Sequence, residues 1–226
     1  MRVATHLSAV DPMLKNIPLF SGLNETELAE IAKHAVVRSY PKHTVIINEG
    51  DHSDSLYVIK QGRVKIYLSD EQGKEVVLNS EGPGEYFGEL ALLDEAARSA
   101  SVMTLERCTF CILTKEVFHK LLIDNPQIAI SLIKDLANRV RMLTDNVKSL
   151  ALLDVYGRVA KILLSMATPL GDKLVIEDKL TQQDIADRVG ASREMVSRIL
   201  KDLATGGYIH MEQRHIVIND RLPTRY

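Results

Sequence analysis

Apolar residues recur along the chain with two different periods, every second residue as in a strand and every three or four residues as in a helix. The strand period dominates the first part of the chain. An opening helix is indicated in "NETELAEIAKHAVV", where Asn24 and Glu27 form the pattern of an N-terminal capping box. Short β-branched runs follow, among them "DSLYVIK", "GRVKIYLS", "KEVVLNS" and "CTFCILT", with glycine-containing turns between them. Val64, Ile66 and Leu68 alternate with Lys65 and Tyr67, which is the period of a half-buried strand. These runs predict an antiparallel barrel or jelly roll from about Pro41 to Leu113.

A helical pattern begins after Asn125-Pro126 and keeps a heptad repeat. Apolar residues recur there at alternating intervals of three and four, with charged residues between them. That period favours a helix paired with a second, parallel copy over a helix packed only on its own domain. The predicted seam consists of Ile133, Leu136, Val140, Leu143, Val147 and Leu150.

The last third of the chain reads as a winged helix-turn-helix. Asp154 caps a helix in "VYGRVAKILLSMA", which "TPLGDK" interrupts. Thr181 caps the next helix, Gly190 in "VGAS" supplies a positive φ at the turn, and Ser192 caps the helix that follows. Two short strands, "YIHME" and "HIVIN", joined at Gln213-Arg214, form the predicted wing.

The helix after Ser192 has the features of a DNA recognition helix. Its apolar stripe runs through Val196, Ile199, Leu200 and Leu203, and charged residues occupy the other side. Arginine can donate twice to guanine and glutamate can accept from cytosine, so this face favours base readout over a solvated packing surface. The candidate DNA contacts are Thr181, Gln182, Ser192, Arg193, Glu194, Ser197, Arg198 and Lys201.

Composition narrows the classes of function. The 226 residues are 46% hydrophobic and 26% charged, with a formal net charge of −2, so any nucleic-acid binding must use local basic groups. No apolar run approaches a membrane span and no secretion signal is evident, from which we expect a cytoplasmic protein. No nucleophile–base pair, P-loop or metal-ligand array occurs, which argues against an enzyme.

The two cysteines, Cys108 and Cys111, form a C-x-x-C pattern within a predicted strand. Side chains three apart on a strand point to opposite faces, so a shared metal or redox centre is disfavoured. Two cysteines also cannot supply a four-thiolate cluster. We expect two separate core cysteines and no metal site.

Taken in order, these blocks resemble the cyclic-AMP receptor protein and its FNR-type relatives. The resemblance rests on "NIPLFSGLNETELAEIA", "FGELALLDEAARSAS", "LALLDVYGRVAKILL" and "SREMVSRIL", and it covers nearly the whole chain. It implies an α+β protein with an effector-sensing, cyclic-nucleotide-binding jelly roll over residues 1–125. A dimerisation helix over 126–153 and a winged helix-turn-helix DNA-binding domain over 154–226 would follow.

The stretch "FGELALLDEAARSAS" resembles the family's phosphate-binding cassette. The resemblance assigns Glu89 to the ribose 2′-hydroxyl and Arg98 to the cyclic phosphate, with Ser99 beside it and backbone contacts from Gly88 and Leu90. A guanidinium that forks onto phosphate oxygens makes this chemically reasonable. The alternative is a surface ion pair between Arg98 and Glu89.

The resemblance also places Leu143 and Thr144 against the nucleotide base. The family's cyclic-AMP receptor has two hydroxyl residues there. Thr144 keeps a hydroxyl and Leu143 does not, so the resemblance leaves the base open and we expect cAMP or cGMP as the effector. A cyclic dinucleotide, or no small-molecule ligand, remains an alternative for the same DNA-binding role. The implied partners are a second copy of the chain, double-stranded DNA with a near-palindromic site and RNA polymerase.

Overall fold

The computed structural model describes residues 5–6, 15, 17–73, 75–171, 173–177, 180–212, 215–219 and 221–223. The described residues form two compact units. One comprises those up to 68 together with 77–139, and the other comprises 69–76 and those from 140 onward. The long helix predicted after Asn125 runs from Pro126 to Leu152 and contributes to both units.

The first unit is built on two antiparallel sheets, which extend beyond the predicted limits of Pro41 and Leu113. The extra strands are short or follow a helix directly, so they lack the alternating run that marks the others. Its strands are β1 (Thr5–His6), β2 (Val36–Tyr40), β3 (Val45–Ile47), β4 (Ser55–Gln61), β5 (Val64–Ser69), β6 (Glu75–Glu81), β7 (Tyr86–Phe87), β8 (Ser101–Thr104) and β9 (Cys108–Thr114). The sheet orders are β1-β2-β9-β4-β7 and β3-β8-β5-β6.

Helices cover one face of the larger sheet. They are α1 (Glu25–His34), α2 (Leu90–Asp94), α3 (Lys115–Asp124) and α4 (Pro126–Leu152), and a 3₁₀ turn at Pro18–Phe20 precedes them. The predicted capping box of α1 is confirmed, because Asn24 accepts from the Glu27 amide while the Glu27 carboxylate accepts from the Asn24 amide at 2.7 Å.

Strand β9 separates two hydrophobic clusters, and its cysteines lie on opposite sides. Cys108 packs with Phe110 between the sheets, whereas Cys111 packs with Leu113 against the helices. Both thiols are buried, and neither forms a disulfide bond. The prediction of two separate core cysteines is therefore confirmed. Among the described residues no group of side chains could hold a metal ion.

The apolar residues of α4 divide into buried and exposed sets. Ile128 and Leu132 are buried in the cluster beneath the larger sheet, and Leu136, which the heptad assigned to the seam, packs partly against the same cluster. The assignment of Leu136 to the seam stays a prediction, and its own unit covers this side chain in part. The remaining seam residues, Ile133, Val140, Leu143, Val147 and Leu150, are exposed.

The second unit contains a four-stranded sheet where the sequence predicted only two strands. The predicted interruption "TPLGDK" ends the preceding helix but also builds a hairpin, whose turn uses Gly171 at φ +62°. Its elements are α5 (Val155–Met166), β10 (Thr168–Leu170), β11 (Lys173–Ile176), α6 (Gln182–Val189), α7 (Arg193–Thr205), β12 (Ile209–Glu212) and β13 (His215–Ile218), with sheet order β10-β11-β13-β12.

The helix-turn-helix signals of the sequence are confirmed one by one. The side chains of Asp154, Thr181 and Ser192 accept hydrogen bonds from the first turns of α5, α6 and α7. Gly190 ends α6 in the left-handed conformation at φ +65°. The strands of the wing, β12 and β13, pair in antiparallel register, and their joint at residues 213–214 lies outside the described residues.

The predicted apolar stripe of α7 holds this helix onto the second unit. Val196, Ile199 and Leu203 are buried in its core, and Leu200 packs partly against it. No helix in the described part of the chain is long and apolar enough to cross a bilayer.

Candidate functional site

A small cavity of about 80 Å³ lies in the first unit, where β7 leads into α2. Five of the residues assigned to the phosphate-binding cassette line it, so the fold brings Gly88, Glu89, Leu90, Arg98 and Ser99 together. The other lining residues are Ile47, Ile66, Phe87, Ala91, Ala100, Val102 and Arg139.

Arg98 lines the cavity as a buried cation, and no carboxylate among the described residues forms an ion pair with it. Its side chain donates to the Gly88 carbonyl, and Nη2 donates to Ser53 Oγ at 2.9 Å and to the Ser55 carbonyl at 2.7 Å. Its Nε is buried and has no hydrogen-bond partner in the described part of the chain. Burial lowers the pKa of Arg98, but arginine remains charged. A buried charge whose hydrogen-bond partners are all neutral favours the binding of an anion.

The backbone around Arg98 fixes where the guanidinium points. The Arg98 amide donates to the Asp51 carbonyl and its carbonyl accepts from the Gly50 amide, both at 2.9 Å. These bonds join the segment after α2 to the turn between β3 and β4. The charge is therefore held in place before any ligand arrives.

Glu89 begins α2 and is bound by an arginine from the long helix. The carboxylate is 2% exposed, and its Oε1 accepts from Arg139 Nη1 at 2.7 Å. Arg139 also donates to the Tyr86 carbonyl at 3.0 Å and lies over the Tyr86 ring. Burial raises the pKa of Glu89, and Arg139 opposes that shift. The alternative of a surface pair between Arg98 and Glu89 is wrong, because both are buried and Glu89 pairs with Arg139.

A second buried carboxylate shares Arg139. Glu81, at the end of β6, is 3% exposed, and its Oε1 lies 3.2 Å from Arg139 Nη2 and accepts from Asn79 Nδ2 at 2.9 Å. Burial and the neighbouring Glu85 carboxyl raise the pKa of Glu81 to about 8, although the charge of Arg139 acts in the opposite direction.

Sequence reasoning missed Arg139 and Glu81. Arg139 appeared only as one of the charges between seam residues, and Glu81 was not singled out. No local pattern marks either residue, because the carboxylates that pair with Arg139 lie 50 and 58 positions earlier in the chain.

Leu143 and Thr144, assigned to the base, belong to the second unit and do not join this group. Leu143 is 45% exposed. The Thr144 hydroxyl donates to the Val140 carbonyl one turn earlier at 2.8 Å, which leaves its oxygen able to accept.

The candidate DNA contacts fall on α6, α7 and their caps. Thr181 and Ser192 serve as caps, so their hydroxyls are partly used, whereas Gln182 and Ser197 are half-buried. The side chains of the remaining four are exposed and form no hydrogen bond or ion pair with the described residues. They are Arg193, Glu194, Arg198 and Lys201.

Comparison with known proteins agrees with both parts of this arrangement. The cyclic nucleotide-binding domain profile matches residues 37–125, and the Crp-like helix-turn-helix profile matches residues 157–222. A CRP-like cAMP-activated global transcriptional regulator of Mycobacterium tuberculosis is 34% identical over 215 residues, or 93% of this chain and 96% of the relative. The chain belongs to the CRP-FNR family.

Two further members of the CRP-FNR family are similar over most of their length. The cAMP-activated global transcriptional regulator CRP of Escherichia coli is 35% identical over 190 residues, covering 82% of this chain and 90% of the relative. The c-di-GMP-responsive global regulator CLP of Xanthomonas campestris superposes with a TM-score of 0.75 at 27% identity, covering 87% of this chain and all of that one. The chain is thus a CRP-family transcription regulator, not an enzyme, with a cyclic nucleotide-binding domain and a DNA-binding helix-turn-helix domain.

Proposed function

We propose that the protein is a dimeric, sequence-specific transcription regulator whose DNA binding is controlled by cAMP or cGMP in the first unit. The observation that supports this most is Arg98, a buried guanidinium beside a cavity, with neutral partners and an unpartnered Nε. Such a group binds a phosphate oxygen through charge-assisted hydrogen bonds. The relatives from M. tuberculosis and E. coli, both named as cAMP-activated, support the nucleotide class.

In this proposal the cassette residues and Arg139 divide the contacts to the phosphate and the ribose. Arg98 and Ser99 bind the cyclic phosphate, with the backbone of Gly88 and Leu90 beside it. Glu89, held in place by Arg139, accepts from the ribose 2′-hydroxyl. Fixing that carboxylate in advance reduces the entropy lost on binding.

We further propose that the base contacts Leu143 and Thr144. Leucine offers packing and no hydrogen bond, so we expect weaker discrimination between adenine and guanine than a pair of hydroxyl residues would give. This contact rests on the family resemblance.

A cyclic dinucleotide is the second candidate effector. The c-di-GMP-responsive neighbour from X. campestris favours it. Two arginines line the cavity of about 80 Å³, and Arg139 is already paired with carboxylates. In the described part of the chain Arg98 has no ion-pair partner, which favours a ligand with one phosphate in that position.

In the second unit, α7 is the proposed recognition helix that contacts DNA bases. We propose that Arg193 and Arg198 donate to guanines and Glu194 accepts from a cytosine, while the other contacts position the helix on phosphates. These are Thr181, Gln182, Ser192, Ser197 and Lys201. A twofold dimer requires a near-palindromic site. RNA polymerase is the proposed protein partner, and the cytoplasm, where bacterial DNA is transcribed, is the proposed location.

Calorimetry on the full-length protein tests the effector. We expect cAMP, cGMP or both to bind the wild type, and Arg98→Leu to lose at least tenfold in affinity, because it removes charge-assisted bonds worth about 1.5–3 kcal/mol each. Arg107→Leu, an exposed arginine of the same unit, is the matched control and should bind as wild type.

Fluorescence anisotropy with a labelled duplex, with and without the nucleotide, then tests control of DNA binding. Unchanged nucleotide affinity in Arg98→Leu would remove the arginine from the site. Binding of c-di-GMP alone would select the second candidate.

A further inference from the structure

Arg139 is shared by two buried carboxylates, only one of which lines the cavity. Glu89 lines the cavity, and its Oε1 lies 2.7 Å from Arg139 Nη1. Glu81 does not line the cavity, and its Oε1 lies 3.2 Å from Arg139 Nη2. Arg139 itself is one of the residues that line the cavity. Glu81 is therefore connected to the ligand site through a single side chain.

The charges around the cavity are closely balanced, so one proton changes their sum. Arg98 and Arg139 are positive and Glu89 is paired with Arg139. When Glu81 is ionised, the four groups sum to zero. When Glu81 carries a proton, they sum to one positive charge, which favours an anion.

We propose that Glu81 is a positioning residue of the ligand site, which shares Arg139 with Glu89 and whose ionisation lowers the affinity of the cavity for an anionic ligand. This inference rests on the proposed function, because it concerns the same cavity and the cyclic phosphate bound there. The ionised carboxylate weakens the site in two ways. It draws Arg139 away from Glu89, and it offsets the positive charge that the phosphate encounters.

The surroundings of Glu81 place its titration in an accessible range of pH. The groups that face it are the Glu85 carboxyl after β6, Glu89 on α2 and Arg139 on α4. Burial and the two carboxylates favour the protonated form and Arg139 the ionised form, and the resulting pKa is raised to about 8. A cyclic phosphodiester keeps its single negative charge across this range. Affinity should therefore fall as pH rises through 8.

The experiment measures the Kd of cAMP and cGMP by calorimetry at pH 7 and pH 9, using the full-length protein. We expect the wild-type Kd to rise by about fivefold between the two values. Glu81→Gln imitates the protonated form. Its Kd should change by less than twofold between pH 7 and pH 9, and it should bind the nucleotide more tightly than the wild type at pH 9. Glu81→Met, which removes the carboxyl at similar volume, should be equally insensitive. Glu71→Gln, at an exposed glutamate of the turn after β5, should follow the wild type.

The two proposals fail in different ways. Parallel pH profiles in the wild type and both Glu81 variants would overturn the role of Glu81 and leave the nucleotide site intact. If the wild type bound neither nucleotide at either pH, the proposed function would fall, and the role of Glu81 with it.

Discussion

Gly88 is fixed by the guanidinium next to it. Its φ is +87°, a conformation that L side chains rarely adopt, and an added Cβ would lie 2.6 Å from Arg98 Nη1 and 3.1 Å from the Ser55 carbonyl. Arg98 donates to the Gly88 carbonyl as well. The glycine thus provides both the turn and the space that the buried charge occupies.

Replacing Gly88 with alanine should reduce ligand binding more than stability. We expect about 1–3 kcal/mol of destabilisation from the strained backbone and at least a tenfold loss of cyclic-nucleotide affinity, because Arg98 must shift. Denaturant unfolding and calorimetry measure the two effects. Gly73→Ala is the control, since Gly73 has a similar φ of +77° with nothing within 4 Å of the added Cβ. Equal loss of affinity in both variants would contradict this account.

The residues of the site differ in how far the sequence revealed them. Gly88, Glu89, Arg98 and Ser99 lie within one short segment, so a motif could assemble them before the fold was known. Arg139 joins Glu89 only when α4 packs beside α2, and no local pattern contains that information. The burial of Arg98 is likewise a property of the fold.

At the scale of elements, the sequence predicted what local chemistry controls. The caps at Asp154, Thr181 and Ser192 and the turn at Gly190 each depend on a residue and its immediate neighbours. The hairpin of β10 and β11 went unnoticed because both strands are short and complete their sheet through β13, about 40 positions further along. Leu136 kept the heptad spacing while its own unit covered it in part.

Helix α7 should read bases through Arg198, which is exposed and has no partner in the described residues. Arg198→Ala is expected to cost about 1–3 kcal/mol on the preferred site and to relax preference at one symmetric position. Selection from a randomised duplex pool, followed by anisotropy, measures both. As a control, Lys201→Ala should weaken binding to all DNA sequences alike and lower the salt dependence of the DNA affinity. If Arg198→Ala weakened all sequences equally, Arg198 would be a phosphate contact.

At the scale of the whole molecule, the exposed stripe on α4 predicts a dimer without ligand. Val147 is 64% exposed and Leu150 53%, more apolar surface than a helix in water normally presents. Pairing with a second copy would bury this stripe and place two α7 helices about one DNA turn apart.

Val147→Asp should separate that dimer, because each copy would bring a carboxylate into the apolar seam. Sedimentation velocity over a range of concentrations should give a dimer for the wild type and a monomer for the variant. Lys148→Asp changes a neighbouring exposed residue outside the heptad seam and should leave the dimer intact. A monomeric wild type would contradict the assignment of the exposed α4 residues to a dimer interface.

The placement of the two cysteines has a practical consequence for measuring distances within a dimer. Cys108 and Cys111 are the only cysteines of the chain, and both are inaccessible within the first unit. Burial also raises the pKa of the Cys108 thiol, which reduces its reactivity further. A cysteine introduced at an exposed position of α7, such as Glu194, would then be the only thiol open to a maleimide dye or spin label. The natural sequence can therefore serve, without removal of its own cysteines, as the background for distance measurements between the two recognition helices of a dimer.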